Sequence, residues 1–171
     1  MLHTLLSRFA WFCVLLLLQV TLFNHIRLFG YATPLCYVYF LLILPADTPR
    51  WAYITLGFIL GLMVDLFTNT PGMGAASLCA LGLVTPLLLS AFAPKDKDDD
   101  ILLPSVASME WGGFMRYALT STLLYCALFF SIEAFSFFEW RILLLRIFSS
   151  ALLTFIFILI FEVIRGAGRQ R

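Results

Sequence analysis

Three ionisable side chains stand within or beside long apolar runs and could carry chemistry: Asp65, Glu133 and Arg146. Charged groups inside membrane segments are costly, so they commonly pair with one another or line a path for an ion or substrate. All three fall near predicted ends of apolar segments, on the same side of the membrane. The sequence therefore predicts an outward polar cluster, in which Arg146 pairs with Asp65 or Glu133.

Signals for metal binding or catalysis are weak by comparison. His3 and His25 have no metal-ligand spacing. Four cysteines are scattered singly and form no C-x-x-C pair: Cys13, Cys36, Cys79 and Cys126. The chain has no H-E-x-x-H, no G-x-S-x-G and no phosphate-binding loop. We therefore expect no catalytic residues, no metal and no cofactor, and the protein is not expected to be an enzyme.

Composition indicates which solvent the chain is built for. Of its 171 residues 62% are hydrophobic and 12% charged, with a mean hydropathy of +0.98. A soluble domain has about 25% charged residues, so this chain could not cover its surface in water. The net charge of +1 gives no basic field for nucleic acid. These values predict an all-α integral membrane protein.

Six apolar segments approach the length of about 20 residues that a spanning helix needs. They predict a single domain, residues 1–171, that is a six-transmembrane-helix bundle with a cytoplasmic loop over 94–113. The predicted spans are 5–23, 29–45, 51–67, 74–92, 114–135 and 140–164. The second is short, and it either spans by including residues 29–33 or enters the membrane without crossing it.

Cytoplasmic loops are enriched in Lys and Arg, which gives the bundle an orientation. With six spans and a cytoplasmic N-terminus, eight basic residues lie inside: Arg8, Arg50, Lys95, Lys97, Arg116, Arg165, Arg169 and Arg171. Three lie outside: Arg27, Arg141 and Arg146. Both termini are therefore predicted to be cytoplasmic. Glu162 and Arg165 predict an ordinary interfacial ion pair at the inner end, since residues three apart on a helix are neighbours.

The stretch "GLMVDLFTNTPGMG", residues 61–74, combines small residues, a carboxylate and a turn. Gly57 and Gly61 form G-x-x-x-G, which lets another helix approach closely. We favour packing within the chain, and a partner helix is the alternative. Asp65 has two interpretations: it closes a helical hairpin at the outer boundary, or it lines an outward cavity. The turn residues that would shape the hairpin are Pro71, Gly72 and Gly74.

Residues 57–78, "GFILGLMVDLFTNTPGMGAASL", resemble the signature of the rod shape-determining protein MreD family. The loop "KDKDDD" and the aromatic-rich fifth span resemble its Bacteroidetes-type branch. The resemblance implies a fold similar to the substrate-binding subunits of energy-coupling-factor transporters. It also implies a non-enzymatic scaffold in the bacterial inner membrane, in the cell-elongation (rod) complex that supports peptidoglycan synthesis. The implied partners are the bitopic protein MreC, the MreB cytoskeleton, cell-wall synthesis proteins and membrane lipid, with homo-oligomerisation left open.

An alternative of a different class is a solute-binding subunit or small transporter. Asp65, Glu133 and Arg146 would then line an outward-facing pocket, where converging polar groups in an apolar cavity typically bind a small ligand. A cavity at that place would favour this alternative, and solid packing would exclude it.

Overall fold

The computed structural model describes residues 2–23, 32–70, 72–93, 104–134 and 139–169. Within these residues the protein is helical. The α-helices are α1 Leu2–Thr21, α2 Tyr39–Leu42, α3 Arg50–Thr68, α4 Met73–Phe92, α5 Val106–Ala134 and α6 Trp140–Arg169. A 3-10 turn, Cys36–Val38, leads into α2.

Among the described residues, four helices are long and apolar enough to cross a bilayer: α3, α4, α5 over Ser108–Ala134, and α6 over Trp140–Gly166. Helix α1, Leu2–Thr21, contains a shorter apolar stretch, Phe9–Thr21. The protein is thus a multi-pass helical membrane protein, and the prediction of six spanning helices is wrong. The error lies chiefly in the second predicted span, because residues 32–45 do not form a long helix.

We call residues 32–45 the inner segment. It begins without regular structure, makes the 3-10 turn, and then makes little more than one α-helical turn in α2. From Leu35 to Leu42 every side chain is at most 4% exposed. Hydropathy predicts a span here because burial in protein and burial in lipid both demand apolar side chains. Residues 29–31 of the predicted span lie outside the described part.

Side chains of α1 and α6 satisfy the backbone of the inner segment. The Gln19 amide donates to the Pro34 carbonyl oxygen at 3.0 Å and accepts from the Cys36 N–H at 3.0 Å. On α6, Ser150 Oγ accepts from the Thr33 N–H at 3.0 Å and Thr154 Oγ1 from the Leu35 N–H at 2.9 Å. Non-helical backbone at membrane depth is tolerated when protein groups satisfy it in this way. These bonds explain why the segment can dispense with a helix.

Helices α3 and α4 form an antiparallel hairpin in backbone contact. A Cβ added to Gly61 would lie 2.6 Å from the backbone of Ala75, and one added to Gly57 would lie 3.0 Å from the Leu78 carbonyl oxygen. The predicted packing of Gly57 and Gly61 within the chain is therefore confirmed. Because α4 covers this glycine face, it is not free for a partner helix.

Helix α5 begins earlier than the sequence predicts. It starts at Val106 and is interrupted at Glu110, whose φ of 60° and ψ of 164° are non-helical. Residues 106–113 therefore belong to a helical element, and the predicted cytoplasmic loop over 94–113 is too long at this end. Residues 94–103 of that loop lie outside the described part.

Substituting Thr154→Val tests the side-chain support of the inner segment. Valine keeps the shape of threonine and removes the acceptor of the buried Leu35 N–H. An unsatisfied buried donor costs about 1–3 kcal/mol, so we expect a lower free energy of unfolding in detergent micelles. Thr55→Val is the matched control, since exposed Thr55 donates to the Trp51 carbonyl oxygen of its own helix and bonds no other element among the described residues. Equal stability of the two variants would contradict the proposed support.

Candidate functional site

A cavity of about 300 Å³ lies at one end of the bundle, where α3 and α5 end and α6 begins. Its wall includes Asp65, Glu133 and Arg146, so the predicted polar cluster is brought together in one pocket. The inner segment closes the pocket from another side with Thr33, Leu35 and Tyr37.

Asp65 is tied to the first turn of α4. Its Oδ1 accepts from the Gly74 N–H at 2.9 Å and from the Thr70 hydroxyl at 3.1 Å, and its Oδ2 accepts from the Ala75 N–H at 3.0 Å. The first N–H groups of a helix lack intrahelical partners and carry partial positive charge, so a carboxylate there is stabilised. Asp65 of α3 therefore caps α4 from a neighbouring helix.

The turn between the two helices is shaped to allow this cap. Asn69 adopts a left-handed conformation at φ 56°, and the Asn69 and Thr70 N–H groups both bond to the Asp65 carbonyl oxygen. A Cβ added to Gly74 would lie 2.7 Å from Asp65 Oδ1, so a side chain would displace the carboxylate. Gly72 has φ 83°, a conformation that favours glycine. Pro71 lies outside the described residues.

Both sequence interpretations of Asp65 find support in this geometry, because the carboxyl group closes the hairpin and its residue lines the pocket. The sequence predicts a position near the outer boundary, and at that end of α3 the side chain is buried within the protein, with the residue 2% exposed. Its charge is accommodated by three hydrogen bonds and a helix N-terminus instead of by water.

Arg146 and Glu133 form the ion pair that the sequence predicts. Arg146 Nη2 lies 2.9 Å from Glu133 Oε1, and the two side chains are 33% and 32% exposed. The guanidinium carbon lies 5.1 Å from the centre of the Phe130 ring, a favourable cation–π distance. The pair thus spans the gap between α5 and α6 at the pocket wall.

Tyr37 and Tyr125 were not singled out by sequence reasoning. Their hydroxyl groups bond to each other deep beside the pocket, and both side chains are fully buried. The Tyr37 hydroxyl also lies 3.2 Å from where a Gly74 Cβ would be. The available signal was the placement of two polar-tipped aromatic residues well inside apolar segments, since buried tyrosine hydroxyls usually find a partner.

A second polar cluster lies at the opposite end of α6. Glu162 Oε2 accepts from the Tyr39 hydroxyl at 2.6 Å and lies 3.5 Å from Arg165 Nη1, while its Oε1 accepts from the Val106 N–H at 3.1 Å. Arg165 also donates to the Pro104 carbonyl oxygen at 2.7 Å. The predicted pairing is confirmed, but it is not an ordinary interfacial pair. Glu162 is 3% exposed and joins α6, the inner segment and the start of α5.

These features define the class: a multi-pass helical membrane protein with a polar pocket at one end of its bundle. No protein-family model, no curated protein and no solved structure matches the chain. The resemblance of residues 57–78 to the MreD signature therefore stays a prediction, as does the resemblance to energy-coupling-factor subunits.

Substituting Asp65→Asn tests the cap on α4. An amide offers one acceptor oxygen where the carboxylate offers two, and it removes the charge that faces the helix N-terminus. We expect a loss of roughly 1.5–3 kcal/mol, the range for a hydrogen bond to a charged group, measured by thermal or denaturant unfolding in micelles. Exposed Asp47→Asn controls for the change in net charge. A stability equal to that of the control would show that the carboxylate does not hold the hairpin.

Proposed function

We propose that the protein is a non-enzymatic, MreD-like scaffold subunit of the bacterial cell-elongation (rod) complex. What carries the proposal is the resemblance of residues 57–78 to the family signature. Four residues of that signature join α3 to α4. Gly57 and Gly61 allow α4 to pack closely, Asp65 caps α4, and Gly74 leaves room for the carboxylate. A hairpin held by backbone contact and a buried cap suits a subunit whose task is to position other proteins.

The proposed setting is the inner membrane, with both termini in the cytoplasm. In that orientation the Glu162 cluster lies at the cytoplasmic end and the pocket opens outward. The bitopic partner, MreC-like, would contact the bundle laterally through a transmembrane helix, and MreB and cell-wall synthesis proteins would join through it and directly. Interhelical packing in lipid depends on close van der Waals contact, so exposed apolar faces are the surfaces to examine.

Two exposed apolar faces differ in shape. One is an apolar groove of about 540 Å³ between α1 and α3, whose wall includes Phe12, Trp51 and Ile59. The other is the outer face of α6, where Phe148, Leu152 and Ile156 recur at helical spacing. Lipid or a partner helix can cover either face, and a crosslinking experiment separates these cases.

Photo-crosslinking tests the scaffold proposal. A photoreactive amino acid is placed at Ile59 in the groove, at Leu152 on α6, and at fully buried Leu78 as the control. We expect one exposed position to yield an adduct with an MreC-like bitopic protein in cells, and the tagged chain to co-purify that protein. Depletion of the chain should round rod-shaped cells. Well-inserted chain that captures no such protein from either face, and depletion that leaves cell shape intact, would contradict the proposal.

A second candidate, a solute-binding subunit or small transporter, is favoured by the pocket itself. The cavity combines apolar walls with converging polar groups, the usual make-up of a small-ligand site. Solid packing at this place would have excluded the candidate, and the cavity is present. A pocket of this kind is also compatible with a scaffold, so the two proposals are tested separately.

Ligand retention tests the second candidate. Native mass spectrometry of the gently purified protein should detect a bound small molecule that a Glu133→Gln/Arg146→Gln double variant releases. A Glu139→Gln/Arg141→Gln variant is the control, since both residues are exposed and lie outside the pocket wall at the same end of α6. A spectrum free of ligand for the wild type, with no solute raising its Tm, would remove this candidate.

A further inference from the structure

We infer that the pocket binds a zwitterionic group, with its anionic part against Arg146 and a primary ammonium against Glu133. The inference concerns the pocket of the second candidate function and rests on that pocket having a ligand. It adds the ligand's chemical class, which follows from the hydrogen-bonding capacity that the pocket wall leaves unused.

Arg146 supplies the unused donors. A guanidinium carries five N–H groups, and Arg146 uses one of them, to Glu133, among its bonds to described residues. Its side chain is one-third exposed, and the residue lines the cavity. Guanidinium groups bind carboxylate and phosphate well because two parallel N–H groups match two oxygens. An anionic group can therefore bind Arg146 without breaking the existing ion pair.

Glu133 supplies the unused acceptor. Its Oε1 is paired with Arg146, whereas its Oε2 accepts no bond from the described residues. The other carboxylate of the wall, Asp65, is buried and already accepts three hydrogen bonds. A ligand's ammonium therefore has Glu133 as its partner and not Asp65.

The balance of charge selects a zwitterion over a simple ion. The helix N-terminus of α4 partly offsets the charge of Asp65. The described wall carries one further anion and one further cation, Glu133 and Arg146, which are paired with each other. A lone anion at Arg146 would be repelled by Glu133, and a lone cation at Glu133 would be repelled by Arg146. A ligand with both charges a few bonds apart is complementary to both groups.

The position of the pocket indicates two sources for such a ligand. Asp65 is three residues from the end of α3 and Glu133 is one residue from the end of α5, so the cavity lies near the headgroup level when these helices cross a bilayer. Phe67, 63% exposed, is part of its wall, so the cavity opens to the surface. A phospholipid headgroup with phosphate and ethanolamine has the required chemistry, and a free amino acid has it too.

Lipids that differ in one group test the inference. The protein is placed in nanodiscs of phosphatidylcholine containing added phosphatidylethanolamine, added phosphatidylglycerol or neither, and Tm is measured. Phosphatidylcholine keeps the phosphate but has no ammonium hydrogen, and phosphatidylglycerol keeps the phosphate but has no amine. If the source is lipid, phosphatidylethanolamine alone raises Tm. If the source is a free amino acid, glycine or alanine raises Tm in detergent and the three nanodiscs give equal values.

Variants separate ligand recognition from structural support. Glu133→Gln should weaken binding of the amine-containing probe by about tenfold or more, since hydrogen bonds to charged groups are among the strongest. Arg146→Gln should do the same. Arg141→Gln removes a nearby exposed cation outside the wall and should leave binding unchanged. The readout is the difference between probes for each variant, so a lower Tm of the unliganded variant does not affect it.

Each remaining outcome counts against the inference in a distinguishable way. Equal stabilisation by phosphatidylethanolamine and phosphatidylglycerol, unaffected by Glu133→Gln, would show an anion site: the ligand class would be wrong and the second candidate function would survive. A wild-type protein that responds to no lipid and no amino acid, and carries no native ligand, would remove both. Loss of the response in Arg141→Gln as well would assign the effect to surface charge.

Discussion

The structure depends on one constraint: a backbone buried in an apolar bundle must find its hydrogen-bond partners within the protein. The inner segment obeys it through Gln19, Ser150 and Thr154, which replace the bonds of a regular helix. The starts of α4 and α5 obey it through carboxylates from neighbouring helices, Asp65 and Glu162. Polar side chains that look out of place in a hydrophobic sequence are therefore mostly the partners of backbone groups.

Features that depend on local composition and spacing could be predicted from the sequence. These are the membrane class, the hairpin contact at Gly57 and Gly61, and the pairing of Arg146 with a carboxylate. Positions 57 and 61 lie on one helical face, and only a small residue there allows backbone contact. Residues near one another on a single hairpin, or at the same ends of successive helices, leave a readable pattern.

The errors arise where partners are far apart in sequence. Nothing local to residues 32–45 shows that Ser150 and Thr154 will accept their N–H groups, so apolar character alone predicts a helix. Glu162 has one partner three residues away, Arg165, yet its other bonds reach Tyr39 and Val106. The pocket is equally non-local, since its wall combines the inner segment with α3, α5 and α6. The pocket could therefore be recognised only from the three-dimensional structure.

The bonds from Thr33 and Leu35 to α6 join residues 117 and 119 positions apart. During synthesis the inner segment emerges long before Ser150 and Thr154, so these two N–H groups lack their final acceptors until the last helix arrives. Before α6 inserts, these N–H groups would find acceptors either in a temporary helix or in water at the polar surface of the membrane. The inner segment can therefore reach its final hydrogen bonding only after α6 has inserted.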